Sequence, residues 1–268
     1  MNIKKYILVA LAVALIPLLT SAQQSQEEVT IPLSSPNSPG VLHVHTHNGT
    51  VTVEGYNGNQ VEVSMTSNDN DHKSSEYSKQ GLKRIANNSL DVTIREEDNK
   101  VSVKAGHGNS VNLKIKVPTN FSLDISTHHN GDISVSNIKG EITTNAHHGG
   151  ITIHDVTGSV IADTHHGEIE VTFDGVTSGK TMAFSTYHGD VDITFPPSIT
   201  GDVKMKSSKG EIFTDFDISL KKPEMEKNTK KNGAKEIKLS GWTRGTIGSG
   251  GPELMFTTYH GDIVIRKG

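Results

Sequence analysis

The 268-residue sequence contains no cysteine. That absence excludes disulfide staples, thiolate metal sites and cysteine nucleophiles, so packing and backbone hydrogen bonds must hold the fold. Tryptophan occurs once, at position 242, and aromatic residues make up only 5% of the chain. A basic excess is missing too: 26 Lys and Arg stand against 30 Asp and Glu, for a net charge of −4. Nucleic acid calls for a basic footprint and is therefore not an expected partner. Beyond the first 22 residues no stretch is apolar enough to cross a bilayer. There is no Gly-x-Ser-x-Gly elbow, no phosphate-binding loop and no His-Glu-x-x-His pair. Asn68-Asp69-Asn70-Asp71 resembles the start of a calcium loop but lacks the glycine and the closing glutamate.

What is present begins with a basic, then apolar, then small-residue segment. Lys4 and Lys5 precede the apolar run Ile7–Leu19, and Thr20-Ser21-Ala22 offers a cleavage site. Met1–Ala22 is thus expected to be a secretory signal peptide, its apolar run being shorter than a spanning helix needs. Without a cysteine at the cut, lipid anchoring is excluded, and the mature chain is expected in the periplasm, at the outer surface or secreted. It would carry no transmembrane segment, and its net charge would be −6 once the two lysines leave. Gln23–Gly40, polar and carrying Pro32, Pro36 and Pro39, reads as a linker. Val41–Gly268 reads as one β-strand-repeat domain rich in Gly, Thr, Ser and β-branched residues.

The repeat is explicit in the middle of the chain. Gly131, Gly140, Gly149, Gly158 and Gly167 fall nine residues apart, and each is followed two positions later by Ile or Val. Two half-repeats alternate. One is built on His-Gly corners, as in Thr164-His165-His166-Gly167, Thr186-Tyr187-His188-Gly189 and Thr258-Tyr259-His260-Gly261. The other is the shorter Ile138-Lys139-Gly140 or Val156-Thr157-Gly158 type. A rung of about eighteen residues cannot bury its own apolar face, so rungs must stack. The fold class expected is all-β, a β-helix or β-solenoid-like array of short strands, with a β-sandwich-like meander as the alternative. Two segments interrupt the pattern: 68–88, with a short helix around Ser75–Ala86, and Lys221–Lys235, read as an exposed loop. The C-terminal repeat is expected to close the array.

These repeats, with the tail Gly248–Ile265, resemble the bacterial candidate-adhesin family of β-strand-repeat proteins, a domain of unknown function in exported and envelope proteins. The resemblance covers roughly Val41 to the C-terminus. It implies a β-helical fold and a surface or periplasmic setting, and it supplies no reaction. The histidine-rich turns and the Lys221–Lys235 insertion depart from the family pattern.

Parity assigns faces to the turn residues. Met182 and Phe184 point inward, hence Ser185 and Tyr187 point outward, and the inward set Val191 and Ile193 requires the register to flip at the His-Gly corner. Counting back from each glycine gives an outward row of His47, His129, His147, His165, Tyr187 and Tyr259. The corner row is Asn48, Asn130, His148, His166, His188, Lys209 and His260, suited to capping turns. An acidic row (Asp132, Glu168, Asp190, Glu211, Asp262) follows the glycines and faces out to pair with His or Lys. Equivalent residues on neighbouring rungs should sit about 4.8 Å apart.

The expected binding residues are therefore His129, His147, His165, Tyr187 and Tyr259, facing a glycan or an envelope or surface protein. No cofactor, fixed metal-ligand set or catalytic residue is assigned: the His-x-Asp/Glu pattern recurs on every rung, whereas catalysis needs one asymmetric constellation. The runner-up is a periplasmic transition-metal-binding protein using the same histidines, with His43, His45 and His47 as a second cluster. Trp242 reads as a packing cap.

Overall fold

The computed structural model describes residues 26–67, 90–107, 110–223, 225–229, 235–239 and 241–268. The expected signal peptide, the short helix around Ser75–Ala86 and the Asn68–Asp71 turn lie outside them. Among the described residues every regular element is a strand. Alternation decides this: strand after strand repeats a buried–exposed period of two, as in Met182–His188 and Glu253–His260.

The strands form two facing sheets. In the eleven-stranded sheet Glu253–His260, Met182–His188, Val160–His166, Ile142–His148, Ser122–His129 and Val41–Asn48 lie side by side, all parallel. In the ten-stranded sheet Val51–Tyr56, Ile133–Ser136, Ile151–Val156, Ile169–Phe173, Val191–Phe195 and Ile263–Lys267 follow in the same parallel fashion. Each rung supplies one strand to each sheet, which is the expected β-solenoid. Antiparallel strands cap one end in both sheets, Gln26–Pro32 on Gln60–Ser67 and Val92–Glu97 on Lys100–Ala105; at the other end Thr243–Ile247 caps Gly201–Ser207 antiparallel, while the ten-stranded sheet ends in the short parallel strand Ile212–Thr214. Such caps limit further pairing at the open edges of a parallel array.

Three expectations change. Gln26–Pro32, inside the segment read as a linker, is an edge strand, and Ile31 and Leu33 reach the core. Edge strands tolerate polar residues and proline, which is why its composition did not mark it. The stretch read as the Lys221–Lys235 loop contains strand Met225–Thr229, paired antiparallel with Lys235–Leu239. The C-terminal repeat does not close the array: Glu253–His260 inserts between Met182–His188 and Gly201–Ser207.

The core runs the length of the stack between the sheets. Phe173 and Phe195 stack at 5.0 Å on one sheet, Phe184 and Phe256 at 5.4 Å on the other, and the two pairs meet edge to face. At the corners a buried threonine precedes the two outward residues: Thr46, Thr127, Thr164, Thr186 and Thr258, with Ala146 in the same column. Their hydroxyls donate to corner carbonyls. Thr164 Oγ1 reaches Gly149 O, Thr186 Oγ1 reaches Gly167 O and Thr258 Oγ1 reaches Gly189 O, each at 2.9 Å. These three bonds tie their corners to the previous rung, whereas Thr127 Oγ1 donates to Gly131 O at 2.7 Å and Thr46 Oγ1 to Asn48 O at 3.0 Å within their own corners; either way the bond fixes where the next two side chains point.

Candidate functional site

Those next two side chains form two columns of rings on the corner of the eleven-stranded sheet. In the first, successive ring centroids are spaced 5.1 Å (His47–His128), 5.0 Å (His128–His147), 5.3 Å (His147–His165), 5.1 Å (His165–Tyr187) and 4.8 Å (Tyr187–Tyr259). All five pairs are stacked, with interplanar angles of 13° or less. The second column is His129, His148, His166, His188 and His260, spaced 4.7–5.7 Å. The spacing is that of the strands beneath, because in a parallel in-register array identical positions stack at the strand repeat.

Of the residues expected to share one row, His147, His165, Tyr187 and Tyr259 do so. His129 does not. Strand register pairs Thr127 with Ala146 and Asn48 with His129, which places His128 in the first column and His129 in the second. The cause is an extra corner residue, Asn130, absorbed in a left-handed conformation at φ 46°. Counting two back from Gly131 therefore stops one residue short of the first column, and Asn130 is not in the corner column. Nor do His43 and His45 form a cluster with His47. His43 Nδ1 sits 3.1 Å from Asp124 Oδ2, while the His47 ring lies against His107, His128 and His129. His107 precedes Gly108 as other corner histidines precede theirs, but Ser110 stands where Ile or Val follows elsewhere, and the repeat pattern passed over it.

The columns also touch each other. His128 Nδ1 and His129 Nδ1 are 2.5 Å apart, and His147 Nδ1 and His148 Nδ1 are 2.9 Å apart. In such a contact one ring must donate and the other accept, so the pair shares one proton. Crowding works in the same sense. His147 is held below its ordinary value by loss of hydration and then by repulsion from His148, His128, His165 and His129. His166 is lowered by loss of hydration, then His165, His148, His188 and His147. His47 is lowered by loss of hydration, then by His107, His129, His128 and His45.

The acidic row has a different role from the expected pairing with His or Lys. Asp132 Oδ1 accepts from Gly150 N–H at 2.8 Å, Asp190 Oδ1 from Asp262 N–H at 2.7 Å, and Asp262 Oδ1 from Glu211 N–H at 2.8 Å. These carboxylates cap backbone donors of the adjacent rung, where the turn leaves an N–H outside the strand ladder.

At the tyrosine end the columns open into a cleft of about 360 Å³ walled by Tyr187, Tyr259, His165, Trp242 and Lys206, with Asp163 at its rim. Trp242 is only partly buried, and the Lys204 and Lys206 ammonium groups lie 4.7 and 5.7 Å from its ring centroid. It walls this cleft rather than capping the core.

Residues 140–265 match the family described as Toastrack DUF4097. The match covers that stretch and not the strands before it. It holds Tyr187, Trp242 and Tyr259, while His47, His107, His128 and His129 precede it. Among solved structures the chain is similar to a candidate cell adhesion protein from Clostridium sporogenes ATCC 15579, at 10% identity and a TM-score of 0.48, over 92% of this chain and 100% of that one. It is also similar to a candidate adhesin from Bacteroides fragilis NCTC 9343, at 10% identity and a TM-score of 0.38, over 91% and 98% of the two chains. No curated protein matches the sequence.

Proposed function

We propose that this protein is a non-catalytic, adhesin-like binding module that acts outside the cytoplasm and docks a glycan at the tyrosine end of its ring ladder. The observation that carries the reading is the run of parallel, stacked rings that ends at Tyr259, in the cleft walled by Tyr187, Tyr259 and Trp242. Flat rings bury the apolar face of a sugar, while the hydroxyls of Ser185 and Ser208, the Asp163 carboxylate and the Lys206 ammonium supply hydrogen bonds around it. The near-identical corner chemistry of successive rungs supports binding over catalysis, which needs one asymmetric set of groups. The Met1–Ala22 pattern supports export.

Trp242 is the only tryptophan, so its fluorescence reports on this cleft alone. Titration with a panel of envelope-type oligosaccharides should give a saturable change for at least one of them. A stacked ring contributes about 1 kcal/mol, so Tyr259→Ala, which removes the ring stacked on Tyr187 alone, should weaken binding roughly fivefold, and Trp242→Ala similarly when read by calorimetry. A panel in which no glycan binds, or in which binding is indifferent to both substitutions, refutes the reading.

A further inference from the structure

At the amino-terminal end of the ladder the chemistry is different. His47 ends one strand, His128 and His129 end its neighbour, and His107 follows the strand on the other side. One ring nitrogen from each of His47, His128 and His129 lies within 4.8 Å of the other two. The His107 ring centroid is 4.5 Å from that of His47. Among the described residues this is the group of three that meets so closely. No described carboxylate occupies these rings: His43 and His154 have carboxylate partners at 3.1 and 2.8 Å, whereas His128 and His129 face each other.

Two imidazole nitrogens in contact hold one proton between two lone pairs. A metal ion bonded to both at about 2.0–2.1 Å would replace that proton and set the nitrogens about 3.3 Å apart in tetrahedral geometry. The His128–His129 pair at 2.5 Å reaches this by opening less than about 1 Å, which exposed side chains allow. His47, one rung away in the first column, then supplies a third donor, and the strand beneath fixes all three. Farther along His147 and His148 make a similar contact at 2.9 Å, but among the described residues only the first pair has a third imidazole nitrogen within 4.8 Å.

We propose that His47, His128 and His129, with His107 alongside as a fourth donor, bind one borderline divalent transition-metal ion of the Cu²⁺, Ni²⁺ or Zn²⁺ class. Neutral imidazoles without thiolate or carboxylate select these ions over Mg²⁺ and Ca²⁺, which want oxygen. The site stands apart from the glycan cleft, which lies at the opposite end of the ladder, and neither depends on the other.

The test is calorimetric titration of untagged, chelator-stripped protein with Cu²⁺ and Zn²⁺, alongside the Cu²⁺ electron-spin spectrum for nitrogen ligation. Two double variants are compared: His128→Asn with His129→Asn, and His165→Asn with His166→Asn. Asparagine already stands at the second-column position of the preceding strand, as Asn48, so the corner accepts it. One tight equivalent is expected, weakened about a hundredfold in the first variant, about tenfold by His47→Ala, and unchanged in the second. Equal weakening in both double variants would mean a diffuse histidine surface and would overturn the assignment. So would the absence of any stoichiometric binding, or a spectrum without nitrogen ligands.

Discussion

Gly189 tests whether close inter-rung packing at the corners holds the array. Its φ is +146°, and a Cβ placed there would lie 2.1 Å from Gly167 O, 2.5 Å from Gly167 C and 3.0 Å from Glu168 N. All three are backbone atoms of the neighbouring rung, so no rotamer change relieves the contact. Relief needs a separation of about 1 Å, since carbon and oxygen pack at roughly 3.2 Å or more. That shift would stretch two 2.9 Å ladder bonds, Gly167 N–H to His188 O and Ile169 N–H to Asp190 O, and strain the Thr186 bond to Gly167 O. At about 1 kcal/mol for each bond, plus about 1–2 kcal/mol for an L-residue at positive φ, Gly189→Ala should destabilise by roughly 3–5 kcal/mol. Two controls separate the contributions. Gly179, at φ +78°, has nothing within 4 Å of its built Cβ, so Gly179→Ala should cost only the conformational part. Gly175 meets only Thr157 Cγ2 at 3.5 Å, and Gly175→Ala should be close to neutral. Urea midpoints at unchanged m-value give the three numbers. If Gly189→Ala costs no more than Gly179→Ala, close inter-rung packing at the corner is not what holds the array.

Other consequences follow from the core and the ladder. Phe184 is fully buried among Phe173, Phe195 and Phe256, so Phe184→Ala should cost about 3–5 kcal/mol in the same urea series; a loss under 1 kcal/mol would contradict the packing. Thr144 Oγ1 is buried without a hydrogen-bond partner, and the near-isosteric Thr144→Val should raise stability by about 1 kcal/mol; a decrease would show that the hydroxyl is satisfied. His147 and His166 are held below their ordinary value of about 6.5, so below that pH the unfolded chain binds more protons than the folded one. Their contribution is intact above that pH and is lost as pH falls below it. In EDTA, the thermal midpoint should therefore drop between pH 7.5 and 5.5, and less steeply in a His147→Asn, His166→Asn variant; parallel curves would refute this.

The parts of the fold legible in the sequence were those that each rung states for itself. Met182 and Phe184 against Tyr187, and the flip to Val191 and Ile193, are local alternation, and the structure keeps both. What failed needed information from another rung. The nine-residue glycine period served as the ruler for the rows, but the register is held by the buried Thr127, Ala146 and Thr164 column. Asn130 adds a residue after that column and before the glycine, so the ruler and the register part company at that single corner, and His129 was set in the wrong row. The insertion of Glu253–His260 between Met182–His188 and Gly201–Ser207 was invisible for a related reason: strands with the same repeat present equivalent edges, and nothing local names the neighbour. His107 has the His-Gly step with Gly108, but Ser110 stands where the repeat has Ile or Val.

A consequence of this construction is that surface chemistry and fold are decoupled. The buried threonine hydroxyls and the Asp caps fix the backbone of each corner, and the rings carried beyond them vary freely. Along the first column the rings change from His47, His128, His147 and His165 to Tyr187 and Tyr259. An imidazole near neutral pH exchanges a proton or takes a metal ion, whereas a phenol with an ordinary value of about 10 does neither. On the two proposals above, the end with histidines in both columns is the one that takes a metal ion, and the tyrosine end, where only His188 and His260 continue the imidazoles, meets its ligand with Tyr259, Trp242 and Lys206. In a solenoid each rung acts mainly on its nearest neighbours, so a change at His128 is damped before it reaches Tyr259. Two sites on one continuous ladder can then work independently. The Toastrack stretch, beginning at residue 140, holds the tyrosine end, and the preceding strands add the histidine cluster to it.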